Sequence, residues 1–356
     1  MKGESGMDEQ NVATPRSGRG PEATAQPRIG VVILNYKGWQ DTIACAESVL
    51  TGVVPPAWLV VVDNASPDDS VRWLRHWAAG RMDFALPELG TPRPCPKPLP
   101  LRELDEDAAR HAAPAPLTLL RRRSNAGYAA GNNAGMRLLM DWGADAVWIL
   151  NNDTIVDANC LEAMSRRLFA KQRPGLCGSL VCYRDSGLVQ CRAGGRTNKW
   201  TGLSVLDGGR EEVTQARRAD AAQVENRLNF IYGASVMVSR SFIEQVGLMD
   251  ERYFLYCEEQ DWAYSARGRF DFAYAPDAIV WHKEGASTGF SHAGFNARRL
   301  LTLTRSRLRL TAKHLPLALP SVCLSIVFAA ARMAWRRLGR GRVMSPTASM
   351  SATRQG

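Results

Sequence analysis

The chain has eight cysteines in 356 residues but no Cys-x-x-Cys pair, so the spacing of common zinc and redox motifs is missing. We therefore expect free, buried thiols, because five cysteines lie inside apolar or helical runs: Cys45, Cys160, Cys177, Cys182 and Cys323. The first 27 residues are polar, rich in Gly, Pro and Ser, and lack the apolar core of a secretory signal. The resulting expectations are a disordered tail at residues 1–27 and a folded body in the reducing cytoplasm.

Acidic residues are missing after Glu284, whereas residues 298–354 contain twelve lysines and arginines. Removing these twelve from the net charge of +10 leaves −2 for the rest of the chain. The positive charge thus belongs to one C-terminal segment and not to a groove in the folded body, so we expect no nucleic-acid partner. Hydrophobic residues make up 45% of the chain, and that content excludes a protein disordered throughout.

Two phosphate-binding motifs are absent as well. The stretch "LNYKGWQD" after the first predicted strand lacks the G-x-G-x-x-G of dinucleotide-binding proteins. The glycine-rich "GYAAGNNAG", residues 127–135, has no Lys-Ser or Lys-Thr pair and is therefore not a P-loop. Its glycines either allow close packing or let a ligand approach the backbone, and the sequence leaves both explanations open.

What the sequence does contain is an alternation of strand and helix patterns. Four apolar runs are typical of strands buried on both faces: "RIGVVILNY", "AWLVVVDNAS", "LTLLRR" and "AVWILNND". We predict that Ser66 caps the second helix and that Ser241 with Glu244 forms a capping box further on. The alternation predicts an α/β domain over residues 28–295, with a mostly parallel central sheet flanked by helices.

Residues 80–116 interrupt this alternation. They contain seven or more prolines, which exclude a central strand because proline cannot donate a ladder hydrogen bond. The sequence therefore predicts an extended surface insertion, to which it assigns no role.

Polar residues follow four of the predicted strands. They are Asn35, Asp63 with Asn64, Asn125, and Asn151-Asn152-Asp153. Each alone is equally well explained by a helix cap or a turn. In open parallel sheets, however, ligands bind beyond the carboxyl ends of the strands, so together these residues predict a site at one edge.

Two of the acids have a specific chemical use at such an edge. Asp63 follows the second strand, where an acid hydrogen-bonds a ribose or a base. Asp153 can bind Mg²⁺ or Mn²⁺, which prefer oxygen ligands and accept phosphate oxygens in their remaining positions. His282 follows another apolar strand and either reaches the same ion or is structural.

The segment "MDERYFLYCEEQDWAYSAR", residues 249–267, interleaves carboxylates with aromatic side chains. Adjacent Glu258 and Glu259 cannot share one helical face, so we expect one to enter a pocket and the other to pair outward. A carboxylate in an aromatic, partly dry pocket has a raised proton affinity and can remove a proton from a hydroxyl. The segment therefore predicts a general base.

Seven of these motifs together resemble glycosyltransferase family 2, in particular its bacterial rhamnosyltransferase-like branch. They lie within residues 28–310 and are, in order, Asn35-Tyr36, "VDNASPDDS", "NAGYAAGNNAG", "LNNDT", "YGASVMVSR", "ERYFLYCEEQDW" and "WHKEGAST". The resemblance implies a GT-A fold, a type of Rossmann-like fold. It also implies inverting transfer of a sugar from a nucleoside diphosphate donor, with a divalent metal, Mg²⁺ or Mn²⁺, as cofactor.

The resemblance further assigns roles to matching residues. Glu259 falls where the family places its general base, Asp153 where it places a metal ligand, and His282 where some members add another. The predicted nucleotide-sugar-binding residues are Asn35, Asp63, Asn64, Asn125, Gly127, Asn132 and Asn152. Of these, the resemblance places Asn35 and Asp63 at the nucleoside, and Asn125 and Asn132 at the diphosphate and sugar. The chain departs from the family at two points, since the base is usually an aspartate and an arginine is common where Ser265 stands.

The C-terminal segment, residues 296–340, is basic and helical in pattern. Seventeen uncharged residues, 315–331, are flanked on both sides by arginines and lysines, and Pro316 and Pro320 interrupt the start of this run. An interfacial or re-entrant membrane anchor, a true span and a soluble interface helix all fit such a segment, and we expect the first. Basic flanks would bind anionic cytoplasmic lipid, which predicts a peripheral protein of the inner membrane. Residues 341–356 are predicted to be a disordered tail.

Three functional hypotheses follow. The first is a membrane-associated inverting glycosyltransferase, with dTDP-rhamnose as one candidate donor and a cell-envelope polysaccharide or lipid-linked acceptor. The second is a scaffold of the same fold that binds nucleotide sugars without turning them over. The third, a metal-dependent phosphohydrolase, requires further acids or histidines near Asp153, and the sequence has few.

Overall fold

The computed structural model describes residues 26–89, 94–266, 268–283 and 297–341. Most of the predicted tails, 1–25 and 342–356, and the end of "WHKEGAST" lie outside these ranges.

The strands within the described ranges are β1 Ile29–Asn35, β2 Trp58–Asp63, β3 Leu101–Asp105, β4 Leu117–Arg121, β5 Ala146–Asn151, β6 Thr154–Val156, β7 Pro174–Tyr183, β8 Val189–Arg192, β9 Gly194–Thr197, β10 Ser204–Leu206, β11 Phe230–Ile231, β12 Ser235–Ser239 and β13 Asp271–His282. The helices are α1 Trp39–Leu50, α2 Ser70–Ala78, α3 Tyr128–Asp141, α4 Cys160–Phe169, α5 Val213–Arg217, α6 Ala221–Arg227, α7 Arg240–Val246, α8 Glu258–Ser265, α9 Ala297–His314 and α10 Leu319–Gly341.

One large sheet organises the molecule, in the strand order β3-β4-β2-β1-β5-β12-β7-β13-β6, with β8 paired to β7. The five strands from β3 to β5 are mutually parallel, and β12 runs antiparallel to both of its neighbours. A second, three-stranded sheet has the order β10-β9-β11. The predicted α/β architecture with a mostly parallel central sheet is confirmed.

Both faces of the central sheet are buried, which explains the continuous apolar runs. In β1, Val31 and Ile33 pack into the core on one face with Ile43 of α1, while Val32 packs on the other face with Met136 of α3. Side chains alternate across a strand, so a strand covered by helices on both sides needs apolar residues at every position. The unbroken run "GVVIL" meets that requirement.

The proline-rich insertion differs from its prediction. Leu101–Asp105 forms β3, which pairs in parallel with β4 at the edge of the sheet. An edge strand tolerates nearby prolines because one of its sides has no ladder to complete. The insertion is anchored by Glu47 of α1, whose buried carboxylate accepts hydrogen bonds from Trp77 Nε1, Cys95 N and Lys97 Nζ, each at 2.6 Å.

Both predicted helix caps are wrong. α2 begins at Ser70, four residues after Ser66, whose hydroxyl instead accepts hydrogen bonds from Asn35 Nδ2 at 3.2 Å and Lys37 N at 3.1 Å. α7 is capped by Ser239, which accepts from Phe242 N at 3.1 Å. In each case the chain turns into its helix a few residues away from where the local pattern placed the start.

The prediction of free thiols is confirmed, since all eight cysteines are unpaired, and seven of them are buried. Cys323 is the exception to the predicted burial, because it lies exposed on α10. That side of α10 faces solvent, which the apolar sequence around Cys323 did not indicate.

The C-terminal helices pack on the body of the protein. At the end of α9, Lys313 Nζ and His314 Nε2 each lie 2.8 Å from the buried carboxylate of Asp261 in α8. Ser306 of α9 donates to Leu255 O at 3.0 Å, so α9 also holds the loop before α8. None of the helices in the described ranges is long and apolar enough to cross a membrane.

Candidate functional site

A cavity of about 410 Å³ opens where several strands end. β1 and β5 contribute Leu34 and Asn151 to its lining, and α8 contributes Glu258 and Glu259. Seven of the predicted site residues line it: Asn64, Asn125, Gly127, Asn152, Asp153, Glu259 and His282. The fold therefore brings together residues that are up to 218 positions apart in the sequence.

Three predicted residues are not on the wall of the cavity. Asn35 and Asp63 are fully buried at the ends of β1 and β2, where Asn35 Nδ2 donates to Asp63 Oδ1 at 2.7 Å. Asn132 is buried within α3, and its Nδ2 donates to Tyr128 O at 3.1 Å. Their structural contacts support the wall from behind, and any contact with a ligand stays a prediction.

A chain of hydrogen bonds runs from Asp63 to the cavity. Asn35 Oδ1 accepts from Thr42 Oγ1 at 2.8 Å, and Asn152 Nδ2 donates to the same hydroxyl at 3.1 Å. Ser66 N donates to the second oxygen of Asp63 at 3.1 Å. Buried networks in which most polar atoms are paired hold their members rigidly, so Asn152 is presented to the cavity in a fixed position.

The loop between β4 and α3 is fixed in a similar way. Asn125 Oδ1 accepts from Asn64 Nδ2 at 3.0 Å and from Gly127 N at 2.9 Å. Gly127 has a φ of +98°, and a Cβ there would lie 2.2 Å from Phe254 O. Only glycine fits, because the loop before α8 crosses directly over this backbone. For Gly127 the structure thus supports close packing, one of the two explanations that the sequence left open.

Asp153 and His282 form a buried pair at the cavity, with Oδ1 and Nε2 3.2 Å apart. His282 Nδ1 lies 2.8 Å from Gln190 Oε1, an acceptor, which places the hydrogen of a neutral imidazole on Nδ1. The lone pair of Nε2 then points toward a carboxylate, an arrangement that a proton or a metal ion between the two atoms would stabilise.

This pair fits a divalent ion that is only partly held by protein. The described residues contain no group of three or more acids, histidines and cysteines placed to bind a metal. Mg²⁺ and Mn²⁺ sites that also take phosphate oxygens commonly use one or two protein ligands. Asp153 and His282 would be those ligands, and their separation matches neighbouring positions around one ion.

Glu258 and Glu259 at the start of α8 both line the cavity, so the expectation that one of them pairs outward is wrong. Consecutive side chains of an α-helix project about 100° apart, which does not prevent both from reaching one cavity at the end of the helix. Among the described residues, Glu258 Oε2 has no hydrogen-bond partner although the side chain is only 2% exposed. Burial, and then the charge of Glu259, raise the pKa of Glu258 well above its ordinary value.

The carboxyl group of Glu259 has a raised pKa and packs closely against the loop at Gly233. Burial raises the pKa of its carboxyl to about 7, even though backbone hydrogen bonds, its own and that of Gly233, act in the opposite direction. A Cβ on Gly233 would lie 2.1 Å from Glu259 Oε1, so glycine is required for this approach. Tyr128 OH donates to Gly233 O at 2.7 Å and fixes the same loop. A carboxyl with a pKa near neutrality, fixed beside a cavity, suits proton abstraction from an alcohol.

The backbone that leads into α8 is strained. Tyr256 has a φ of +70° and Cys257 a φ of +68°, values that large side chains rarely adopt. Strain of this kind persists only where the surroundings enforce it, and it is concentrated at functional sites. Here it turns the chain so that Glu258 and Glu259 enter the cavity.

Sequence reasoning missed several contributors to this site. Gln190 orients His282, Gly233 makes room for Glu259, and Arg299 of α9 lines the cavity with its guanidinium 5.5 Å from the Tyr256 ring centre. The glycine in "YGAS" was a visible signal within a quoted motif. Gln190 and Arg299 carry no local signal, since neither follows a parallel strand or belongs to a motif.

The chain is similar to several known proteins, of which three are described here. Low-salt glycan biosynthesis hexosyltransferase Agl10 of Haloferax volcanii is 22% identical over 240 residues, which make up 67% of this chain and 61% of that protein. GalNAc-T7, in a crystal structure with UDP, GalNAc and Mn²⁺, superposes with a TM-score of 0.53 at 13% identity, over 81% of this chain and 48% of its own. Mannosyltransferase PcManGT of Pyrobaculum calidifontis, in complex with GDP-Man and Mn²⁺, superposes with a TM-score of 0.50 at 16% identity, over 92% of this chain and 83% of its own. No protein-family model matches the chain.

These structural likenesses confirm the predicted GT-A fold. At such low identity they establish the fold alone. The chain spans about three fifths of the length of the hexosyltransferase and about half of GalNAc-T7.

Proposed function

We propose that this protein is an inverting glycosyltransferase that moves a sugar from a nucleoside diphosphate donor to an acceptor hydroxyl. The observation that carries the proposal is the arrangement of one cavity in a GT-A fold. Glu259 lines this cavity, and so does the pair Asp153 and His282. Such a transfer requires a base that accepts the proton of the acceptor hydroxyl and a cation that neutralises the leaving diphosphate. A base and a cation-binding pair in one cavity meet both requirements.

In this mechanism Glu259 accepts the proton of the acceptor hydroxyl as the oxygen attacks the anomeric carbon. A new carbon–oxygen bond forms there, and the bond to the diphosphate breaks with its electron pair leaving on the diphosphate oxygen. Attack from the face opposite the leaving group inverts the anomeric configuration. A bound Mg²⁺ or Mn²⁺ would act as a Lewis acid that neutralises the departing diphosphate, with Asp153 and His282 as its protein ligands.

The remaining predicted residues have roles in binding the donor. Asn64, Asn125, Gly127 and Asn152 line the cavity and would contact the diphosphate and sugar. Asn35, Asp63 and Asn132 hold this wall in place, with the nucleoside read at the ends of β1 and β2. Rigid positioning lowers the entropic cost of bringing the donor and the acceptor together.

The choice of substrates is also part of the proposal. Similar proteins have been solved with UDP and GalNAc or with GDP-Man, each with Mn²⁺, which supports a nucleotide sugar and a divalent ion here. The resemblance to the rhamnosyltransferase-like branch of family 2 favours dTDP-rhamnose, and we propose a cell-envelope polysaccharide or lipid-linked acceptor. The name of Agl10, a hexosyltransferase of glycan biosynthesis, is in keeping with that kind of acceptor. We place the reaction at the cytoplasmic face of the inner membrane.

A thermal-shift screen of nucleoside diphosphate sugars, with and without Mn²⁺, tests this function. A ligand that binds the native state raises the melting temperature, so one donor is expected to stabilise the protein more with Mn²⁺ than without it. Turnover of that donor, abolished by EDTA, would then distinguish an enzyme from a scaffold that only binds. A screen in which no donor stabilises or turns over would contradict the proposal.

A further inference from the structure

Exposed apolar side chains form a row along α10. Leu324, Val327 and Phe328 are between 64% and 70% exposed, and their spacing puts them on one face of the helix. Leu317, in the turn before α10, is 94% exposed. The opposite face is packed, since Val322 is fully buried. α10 therefore presents an apolar face that nothing in the described part of the chain covers.

A second group of exposed apolar side chains lies on the β9–β10 hairpin. Trp200, Leu203 and Val205 are between 50% and 71% exposed, although this hairpin belongs to a folded sheet. Large apolar side chains scattered singly over a surface need no explanation, whereas several on one short hairpin do.

Hydrogen bonds join the two groups into one surface. Ser321 Oγ of α10 donates to Trp200 O at 2.8 Å across a sequence separation of 121 residues. Ser325 Oγ donates to Thr201 O at 3.2 Å. A Cβ on Gly202, at the tip of the hairpin, would lie 3.5 Å from Val322 Cγ1. The hairpin tip thus packs against α10, and the exposed side chains of both elements belong to one region.

The charge of this region is positive throughout. Residues 196–206 contain Arg196 and Lys199 and no acid, and α10, residues 319–341, contains four arginines and no acid. Lys199 lies with its ammonium 5.2 Å from the centre of the Trp200 ring. Exposed aromatic and aliphatic side chains bordered by basic ones are the composition of a surface that lies in a lipid interface.

We propose that the β9–β10 hairpin and the exposed face of α10 form one docking surface for an anionic lipid bilayer. The apolar side chains enter the interface between headgroups and acyl chains, and the basic ones contact lipid phosphates. A second copy of the chain is the less favourable occupant, because two surfaces with an excess of the same charge repel each other. The sequence alone led us to expect membrane association only of residues 296–340, and the proposal adds the hairpin to that segment. Vesicle binding does not depend on catalysis, so this test is independent of the proposed function.

The test is co-sedimentation of the full chain with vesicles of POPC alone and of POPC with about 30% POPG. The wild type is expected to bind the anionic vesicles, less tightly at about 0.5 M NaCl because salt screens the basic residues. Replacement of two hairpin residues, Trp200→Ser with Val205→Ser, is expected to weaken binding about tenfold, because less apolar surface is buried. Leu324→Ser with Phe328→Ser is expected to have a similar effect.

The matched control is Val53→Ser, which removes an apolar side chain of comparable exposure from the turn after α1, with no change expected in binding. Melting temperatures of all variants show whether they fold. Equal binding by the hairpin variant and the wild type would overturn the proposal, as would equal binding to both kinds of vesicle. So would light scattering that shows a dimer lost in both double variants while no protein binds vesicles, since a second copy would then cover the surface.

Discussion

The strand side and the α8 side of the cavity differ in how their polar groups are hydrogen-bonded and in the strain of their backbone. On the strand side, Asn35, Thr42, Asn125 and Asn152 are bonded to one another or to the backbone. On the α8 side, Glu258 Oε2 has no partner among the described residues, and the backbone that leads to it is strained. The strand side is already rigid without a ligand, whereas the α8 side holds groups whose proton affinity is raised. Under the proposed function, the strand side would bind the donor and the α8 side would supply the base.

Glu259→Gln is the strongest test of this difference between the strand side and the α8 side. The amide keeps the shape of the side chain but cannot accept a proton, so kcat/KM is expected to fall about 10² to 10⁴-fold. Donor binding, followed by thermal shift, is expected to be retained because the strand side is unchanged. Glu258→Gln is the matched control, and a larger loss in that variant would transfer the role of base to Glu258.

The second test concerns the support of His282. Gln190→Ala removes the acceptor of the His282 Nδ1 hydrogen and is expected to raise the Mn²⁺ concentration needed for half-maximal activity about 10 to 100-fold. Gln190→Glu keeps an acceptor and is expected to recover much of that affinity. If both variants respond to Mn²⁺ as the wild type does, His282 is a structural residue.

The dependence of kcat/KM on pH is expected to be an effect of intermediate size. Burial raises the pKa of Glu259 to about 7, and a base works only in its deprotonated form. As the pH falls below 7, kcat/KM is therefore expected to drop about tenfold per unit, and above 7 it levels off. A profile that is flat from pH 5 to pH 8 under saturating Mn²⁺ would contradict this role of Glu259.

The smallest effect is expected on the strand side. Thr42→Val removes the hydroxyl that links Asn35 to Asn152 and is expected to lower the free energy of unfolding by about 1 kcal/mol. KM for the donor is expected to rise a few-fold, while kcat stays nearly constant. Thr42→Ser retains the hydroxyl and serves as the control. A large fall in kcat for the valine variant would remove the distinction between the strand side and the α8 side.

Much of the fold was predictable because its signals are local. β1, β2, β4 and β5 follow from apolar runs, and the polar residues at their ends follow from the geometry of parallel sheets. The edge strand β3 was missed because its pattern is weak and its partner, β4, lies 12 or more residues further along the chain. Ser66 was assigned to a helix cap because its real partner, Asn35, is distant in sequence.

By itself, the sequence determined which residues have the chemistry of the site and which strands carry most of them. Periodicity and residue type act over a few positions, so they can be read without coordinates. Only the tertiary structure decided that Glu258 and Glu259 both enter the cavity, that Gln190 orients His282, and that a hairpin meets α10. Those arrangements depend on contacts between segments far apart in the chain, and no local pattern encodes the distance between two such segments.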